Sequence, residues 1–459
     1  MNQNITLSIG NLVLIDKVDA EYDYFQRVFH GVGGKANNFV PSAKLFMYNR
    51  LGECFSVNQI ISGYQKNLFQ KLKFSKEPND RLLYRNVERL GANFDFILKR
   101  HQIFLYEENL LSETQYFDFS SSYFEGGKSD FAEYGYSRDS QPNKKQLTFG
   151  ISTGINGIPT ALTIQKGNVQ DKAHFKFMLK TSEAVLEKNS LLVFDTGGNT
   201  KENKRLVRDK EFHYLTLKPK KVGPYKKLIE FYNQNEKINL EINAKQYSCV
   251  KLTVGNETSY IFFSEKLKEE QLAQKNRKFK RELEKNKTIL KKTKEGKDID
   301  EFLTEEGVVT TKGVLQKILT EIKNPNINGI EGFFVLESSL DAEPFKILCL
   351  YKDKDKAEKL FRNIKEGTEL RPMRHWSTNA IKGYILVIFL TNFFINLTLL
   401  RTRYSDVKNL KLLKKYLRKL TLGVFYRKNG EKEEFLANIS NEIISILGDF
   451  LQNYDKYPP

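Results

Sequence analysis

The 459-residue sequence predicts an α/β protein in which a mixed sheet carries the chemistry, a β-rich insertion interrupts it, and a helical segment precedes it. Three observations predict this. Gln115 to Tyr123 alternates, with Phe117 and Phe119 on one face and Tyr116, Asp118 and Ser120 on the other. It opens a meander that continues through Leu147 to Thr153 and Ile158 to Gln165, around the turn Gly154-Ile-Asn-Gly157. A helix from about Asp171 to Glu187 and the apolar run Leu191 to Phe194 then begin an alternation of helix and strand. A strand apolar on both faces belongs to a sheet covered by helices.

Three antiparallel strands followed by alternating helix and strand is the order of the ribonuclease-H-like fold, and residues 111–217 are read as the first part of such a core. A helix from Thr200 and a strand from Tyr214 to Leu217 close that part. Ahead of it, residues 1–110 read as helical. Ser56 caps one helix, and a second starts at Asn79-Asp80, carries Leu83, Val87 and Leu90, and stops at Gly91. With Lys and Arg around them, this pair is compatible with a helix-turn-helix or with a plain helical domain.

Residues 218–345 read as an insertion. Strands near Lys237–Glu241, Tyr247–Val254 and Ser259–Phe263 lead to a long charged helix whose Leu272, Phe279, Leu283 and Leu290 share a seam. A strand from Gly332 to Glu337 follows, and the core resumes over 346–403. Tyr384 to Leu400 is apolar, but Thr391, Asn392, Asn396 and Thr398 interrupt it, so it reads as a buried core helix rather than a membrane span. Residues 404–459 form a basic tail: Leu410, Leu413, Leu417 and Leu420 line one helix face, and Asn429-Gly430 marks a hairpin.

The formal charge is +18, which calls for a polyanionic partner, nucleic acid first and an anionic membrane surface second. Cys54, Cys249 and Cys349 are odd in number and far apart, so neither a zinc spacing nor a disulfide framework is expected. The N-terminus does not read as a signal peptide, because Asn, Asp and Lys interrupt its short apolar run. A reducing, cytoplasmic setting is expected.

Three carboxylates stand out. Asp118 lies between two Phe residues, a costly place for a charge unless it is paired or metal-bound, although a strand Asp can also face solvent. Asp195 ends the Leu191–Phe194 run, where open α/β sheets place their sites, although Asp before Thr-Gly-Gly can simply start a turn. Glu358 lies in the stretch Tyr351 to Lys365. On a helix, at about 100° per residue, Tyr351, Lys354, Glu358 and Lys365 share a narrow stripe beside the apolar Ala357, Phe361 and Ile364. Taken alone, that stretch also reads as a solvated helix with an i,i+4 ion pair.

Tyr, two residues, a basic residue, three residues, Glu, six residues and Lys resembles the Tyr-Arg-Glu-Lys signature of DDE insertion-sequence transposases, in the superfamily named after insertion sequence four. Tyr116-Phe-Asp118 resembles the family's first-Asp strand, Gly135 to Asp139 and Gly167-Asn168 its middle block, and Phe194-Asp195-Thr-Gly-Gly198 its second-Asp turn. Gly332 to Leu340 and Leu370-Arg-Pro resemble the segments flanking its Glu helix. The resemblance implies that Asp118, Asp195 and Glu358 are catalytic and ligate Mg2+ or Mn2+, two ions per site. It implies that Tyr351, Lys354 and Lys365 bind DNA phosphates. Lys354 departs from the family's Arg, keeping the charge but losing the bidentate fork. The implied function is cut-and-paste DNA transposition: a homodimer cleaves double-stranded DNA at the element's terminal repeats, through a hairpin intermediate, and joins the ends to target DNA in a prokaryotic, nucleoid-associated setting. A nuclease of the same fold and an inactive DNA-binding remnant are the alternatives.

Overall fold

The computed structural model describes residues 4–32, 38–129, 131–293, 324, 326–402, 407, 409–427 and 431–454. The chain is mixed α/β and divides into two compact units, Met1–His213 with Lys352–Pro459, and Tyr214–Tyr351.

In the first unit, β1 (Ile5–Ser8) stands apart from the strands that matter for the site. These are β2 (Thr114–Tyr123), β3 (Gln146–Gly154), β4 (Pro159–Lys166) and β5 (Leu191–Phe194), in the order β4-β3-β2-β5. β2, β3 and β4 form the antiparallel meander, and β5 runs parallel to β2. The alternation read in β2 sets side-chain direction but not exposure: both faces are buried, and between its two end residues only Asp118 keeps partial exposure. On one face Phe117 and Phe119 meet the Asp171–Ser182 helix, with ring centroids 5.7 Å from Phe175 and 4.9 Å from His174. That helix stops at Ser182 and ends in a single 3-10 turn, Glu183–Val185, short of the expected Glu187. On the sheet's other face Phe149 of β3 stacks on Phe361 at 5.5 Å.

The helical segment before residue 110 is not a separate body. Its buried apolar residues share one core with those of the Thr378–Arg401 helix, the Leu410–Leu417 helix and the tail. β1 pairs antiparallel with Thr421–Tyr426, which pairs in turn with Lys432–Ala437, so the two ends of the chain build one small sheet. The Asn429-Gly430 turn itself lies outside the described residues.

Thr378–Arg401 is long and apolar enough to cross a bilayer by composition, but most of it is buried inside the fold. Its polar side chains bond mostly to nearby backbone, although Asn392 Oδ1 is buried without a partner. Asn392 Nδ2 donates to the Ile388 carbonyl at 2.8 Å, and Asn396 Nδ2 donates to that of Gly157 at 2.9 Å. The helix crosses Asp80–Ala92 at two glycines. A Cβ on Gly91 would stand 1.7 Å from the Asn379 carbonyl oxygen, and one on Gly383 would stand 2.0 Å from that of Val87. Gly383→Ala must therefore push two backbones apart, at an expected cost of about 2–3 kcal/mol. Urea denaturation reads this as a lower midpoint with unchanged slope. An unchanged midpoint would contradict the close packing.

The second unit is built on antiparallel strands in the order His213–Leu217, Phe333–Ser338, Glu257–Phe263, Lys245–Val254 and Ile238–Ile242. Tyr225 and Tyr232 of the Val222–Gln234 helix pack with Val250, Ile261, Phe333 and Val335. The Glu265–Thr293 helix bears Lys275, whose ammonium contacts the buried Glu331 at 2.6 Å. Leu272 and Phe279 of its seam are half-buried, while the Leu283 and Leu290 side chains lie outside the described residues.

Candidate active site

β2 and β5 are parallel, with Phe117 opposite Phe194. The next residues, Asp118 and Asp195, are therefore neighbours on one face, with backbones roughly 5 Å apart. Asp195 also does what Asp before Thr-Gly-Gly does elsewhere: its carbonyl accepts from the Gly198 N–H at 3.0 Å to open a turn. The backbone of Asp195 makes the turn while its side chain pairs with Lys354.

The third carboxylate, Glu358, is carried by the helix Asp355–Arg362, which buries Ala357, Leu360 and Phe361 against the sheet. Here the structure corrects the expectation of one continuous helix. Pro344–Lys352 and Asp355–Arg362 are separate, and a π-helical turn, Asn363–Gly367, follows. A straight helix would hold Lys354 at the edge of the buried surface. With the break at Asp353-Lys354, the Lys354 side chain is 7% exposed. Its Nζ lies 3.4 Å from Asp195 Oδ2 and 3.5 Å from Glu358 Oε1.

The electrostatics follow from burial. Burial pushes the Asp118 carboxyl up to about 6, and the charge of Asp195 adds to that push. Lys354, the Phe119 N–H donating at 2.9 Å, and Arg138 pull the other way and are outweighed. For Lys354 the balance is reversed. Burial would lower its ammonium, but Asp118, Asp195 and Glu358 together hold it above the ordinary lysine value. Three carboxylates from two strands and a helix thus surround one ammonium.

The structure places the other expected DNA contacts differently. Lys365, on the π turn, donates to Asp139 Oδ1 at 2.7 Å, and Arg371 donates to the same oxygen at 2.8 Å. Tyr351 belongs to the second unit, half-buried near the end of the Pro344–Lys352 helix.

Asp139, with its side chain 2% exposed, is thus a hub that sequence reasoning did not single out. Nothing local in Gly135 to Asp139 separates a buried carboxylate from a loop Asp; its partners lie more than 200 residues further on. Arg138 was also missed. It bridges to Asp171 at 2.5 Å and adds positive charge near Asp118. Asp139→Asn leaves the largely buried Lys365 and the half-buried Arg371 without their shared carboxylate and should cost about 3 kcal/mol. A thermal melt within a degree of wild type would contradict that.

The donors suit a hard divalent cation: all three are carboxylates, and a single ammonium leaves the cluster with an excess of negative charge. As folded, no three Asp, Glu, His or Cys side chains among the described residues close into a metal cage. The Lys354 ammonium pairs with Asp195 and Glu358, and the charge of Asp118 also favours its protonated form.

No protein-family model matches the chain, and no curated protein matches it. Among solved structures, the chain is similar to the cryo-EM structure of a piggyBac transposase synaptic complex with hairpin DNA. The identity is 9%, the alignment covers 100% of this chain and 85% of that chain, and the TM-score is 0.45.

Proposed function

We propose that this chain is a DDE transposase with a ribonuclease-H-like core, acting on double-stranded DNA in cut-and-paste transposition. The observation that carries this reading is the convergence of Asp118, Asp195 and Glu358, from β2, the end of β5 and a later helix, on one buried cation. The strand order β4-β3-β2-β5 and the Tyr351–Lys365 signature support it.

Breaking a phosphodiester and joining it elsewhere requires an activated oxygen nucleophile and a stabilised leaving oxygen. Asp118, Asp195 and Glu358 would hold Mg2+ or Mn2+, which when bound supplies charge stabilisation to both oxygens. The protein's own contribution is positional. β2 and β5 fix two carboxylates by strand register, and Phe361 anchors the Glu358 helix on Phe149. Lys354 holds Asp195 and Glu358 toward a common centre and offsets part of their mutual repulsion. Element ends are handled in pairs, so the active form is a homodimer on DNA, in a cytoplasmic setting.

One observation favours a competing reading. The Lys354 ammonium already neutralises part of the cluster, as it would in a DNA-binding remnant that no longer uses metal. The test is cleavage of a plasmid carrying the element's own ends, with magnesium or manganese, by wild type and Glu358→Gln. Double-strand breaks at the ends and joined products, lost in the variant, support the transposase. Cleavage without joining means a nuclease, and end-binding without cleavage means the remnant.

A further inference from the structure

We propose that a basic groove beside the carboxylate cluster is a tract for the backbone of duplex DNA, an inference that rests on the transposase reading. The groove has a volume of about 1280 Å³, and is open between the helices Asp355–Arg362 and Leu410–Leu417. That is larger than the roughly 300–1,000 Å³ typical of small-molecule pockets.

Both walls follow from amphipathic packing. The first helix buries Ala357, Leu360 and Phe361, and turns Lys356, Lys359 and Arg362 to the groove. The second buries Leu410, Leu413 and Leu417, and with the residue after it turns Lys411, Lys415 and Arg418 to the groove. Lys414 fixes the walls together, donating to the carbonyls of Gly367 at 2.5 Å and Arg50 at 2.9 Å. Three carboxylates, Glu53, Glu366 and Glu369, also line it, and Glu53 contacts Arg418 while Glu366 holds Arg371 at 3.0 Å. Positive charge remains in excess.

The chemistry of the lining selects the polyanion. Along the first wall the cations recur every three residues, roughly 4.5 Å of helix rise, a row of charge of the kind that neutralises a phosphate backbone. No Phe, Tyr, Trp or His lines the groove among the described residues. Single-strand binding uses aromatic platforms for unstacked bases, so a groove of cations and amides suits a backbone whose bases stay paired. The Asp355–Arg362 helix also bears Glu358, so a duplex held along it lies beside the cluster on that same helix.

The test is fluorescence anisotropy with a random-sequence duplex across a salt series, on full-length wild type and the combined variant Lys359→Gln, Lys411→Gln, Lys415→Gln. All three residues are exposed, so the thermal melt should not move. The tract predicts at least a tenfold loss of affinity and a salt slope shallower by roughly 2–3, from about 0.9 per phosphate contact. Unchanged affinity and slope would overturn it, as would a wild type that binds anionic lipid vesicles but not duplex DNA. A shallower slope in the variant, alongside equal metal-dependent cleavage by wild type and Glu358→Gln, would leave the tract standing and remove the transposase reading.

Discussion

Asp118→Asn will abolish metal-dependent DNA cleavage while leaving the fold as stable as wild type, or more stable, at neutral pH. The two effects share one cause. Burial disfavours the charge of the Asp118 carboxyl and pushes it up to about 6, above the usual carboxylate range. A carboxyl raised on folding binds its proton more tightly in the native state, so its contribution is favourable at low pH. That contribution is lost as pH climbs from about 4 through about 6. Above that window the buried charge costs on the order of 2–3 kcal/mol, at about 1.4 kcal/mol per pKa unit. Asn removes the cost and keeps the shape.

In the proposed transposase, the same substitution removes one of the carboxylates that would hold the metal. Losing several kcal/mol of transition-state stabilisation corresponds to a rate loss on the order of 10³-fold or more. At sub-saturating metal, wild-type cleavage should also fall about tenfold per pH unit below about 6, because the carboxylate must lose its proton to ligate a cation. Plasmid cleavage and urea denaturation at neutral pH measure the two effects. A variant that cleaves normally, or one destabilised by several kcal/mol, would contradict this account of Asp118.

Lys354→Met gives the opposite pattern. It removes the cation on which the charges of Asp118, Asp195 and Glu358 act, leaving their repulsion uncompensated. Breaking a buried ion pair from one side costs about 3–5 kcal/mol. Asp195 and Glu358 are half exposed to exposed, and solvent screening reduces the figure to about 2–3 kcal/mol. If these carboxylates form a cation site, magnesium should restore the loss by mass action, and stabilise Lys354→Met more than wild type. Thermal melts in chelator and in millimolar magnesium read this directly. A variant with no loss in chelator, or a loss that magnesium does not touch, would separate the lysine from the cation site.

The meander, the helix after it and β5 were legible because each depends on local signals: alternation, a Gly-rich turn, and a short run apolar on both faces. Asp118 and Asp195 were legible for a related reason. A charge between two Phe residues and a carboxylate at the end of an apolar strand are both anomalies of local pattern. The break at Lys354 was not legible. Helical periodicity runs through Tyr351 to Lys365 without interruption, whereas Asp195, which pairs with Lys354, lies far away in the sequence. β1 was missed because four residues carry no periodicity, and its partner is the strand at Thr421–Tyr426. Asp139 was missed for the same reason at the level of side chains, since its meaning lies in Lys365 and Arg371. Long-range pairing leaves little trace in local spacing.

Asp118, Asp195 and Glu358 are proposed to form one cation site. Mn2+ binding to the purified full-length protein, followed by calorimetry and electron paramagnetic resonance, tests it most directly. Wild type and the single variants Asp118→Asn, Asp195→Asn and Glu358→Gln are compared at neutral pH. The account predicts that wild type binds Mn2+ and that each substitution weakens binding at least tenfold. Mn2+ bound equally well by all four proteins would place the metal elsewhere and contradict the claim.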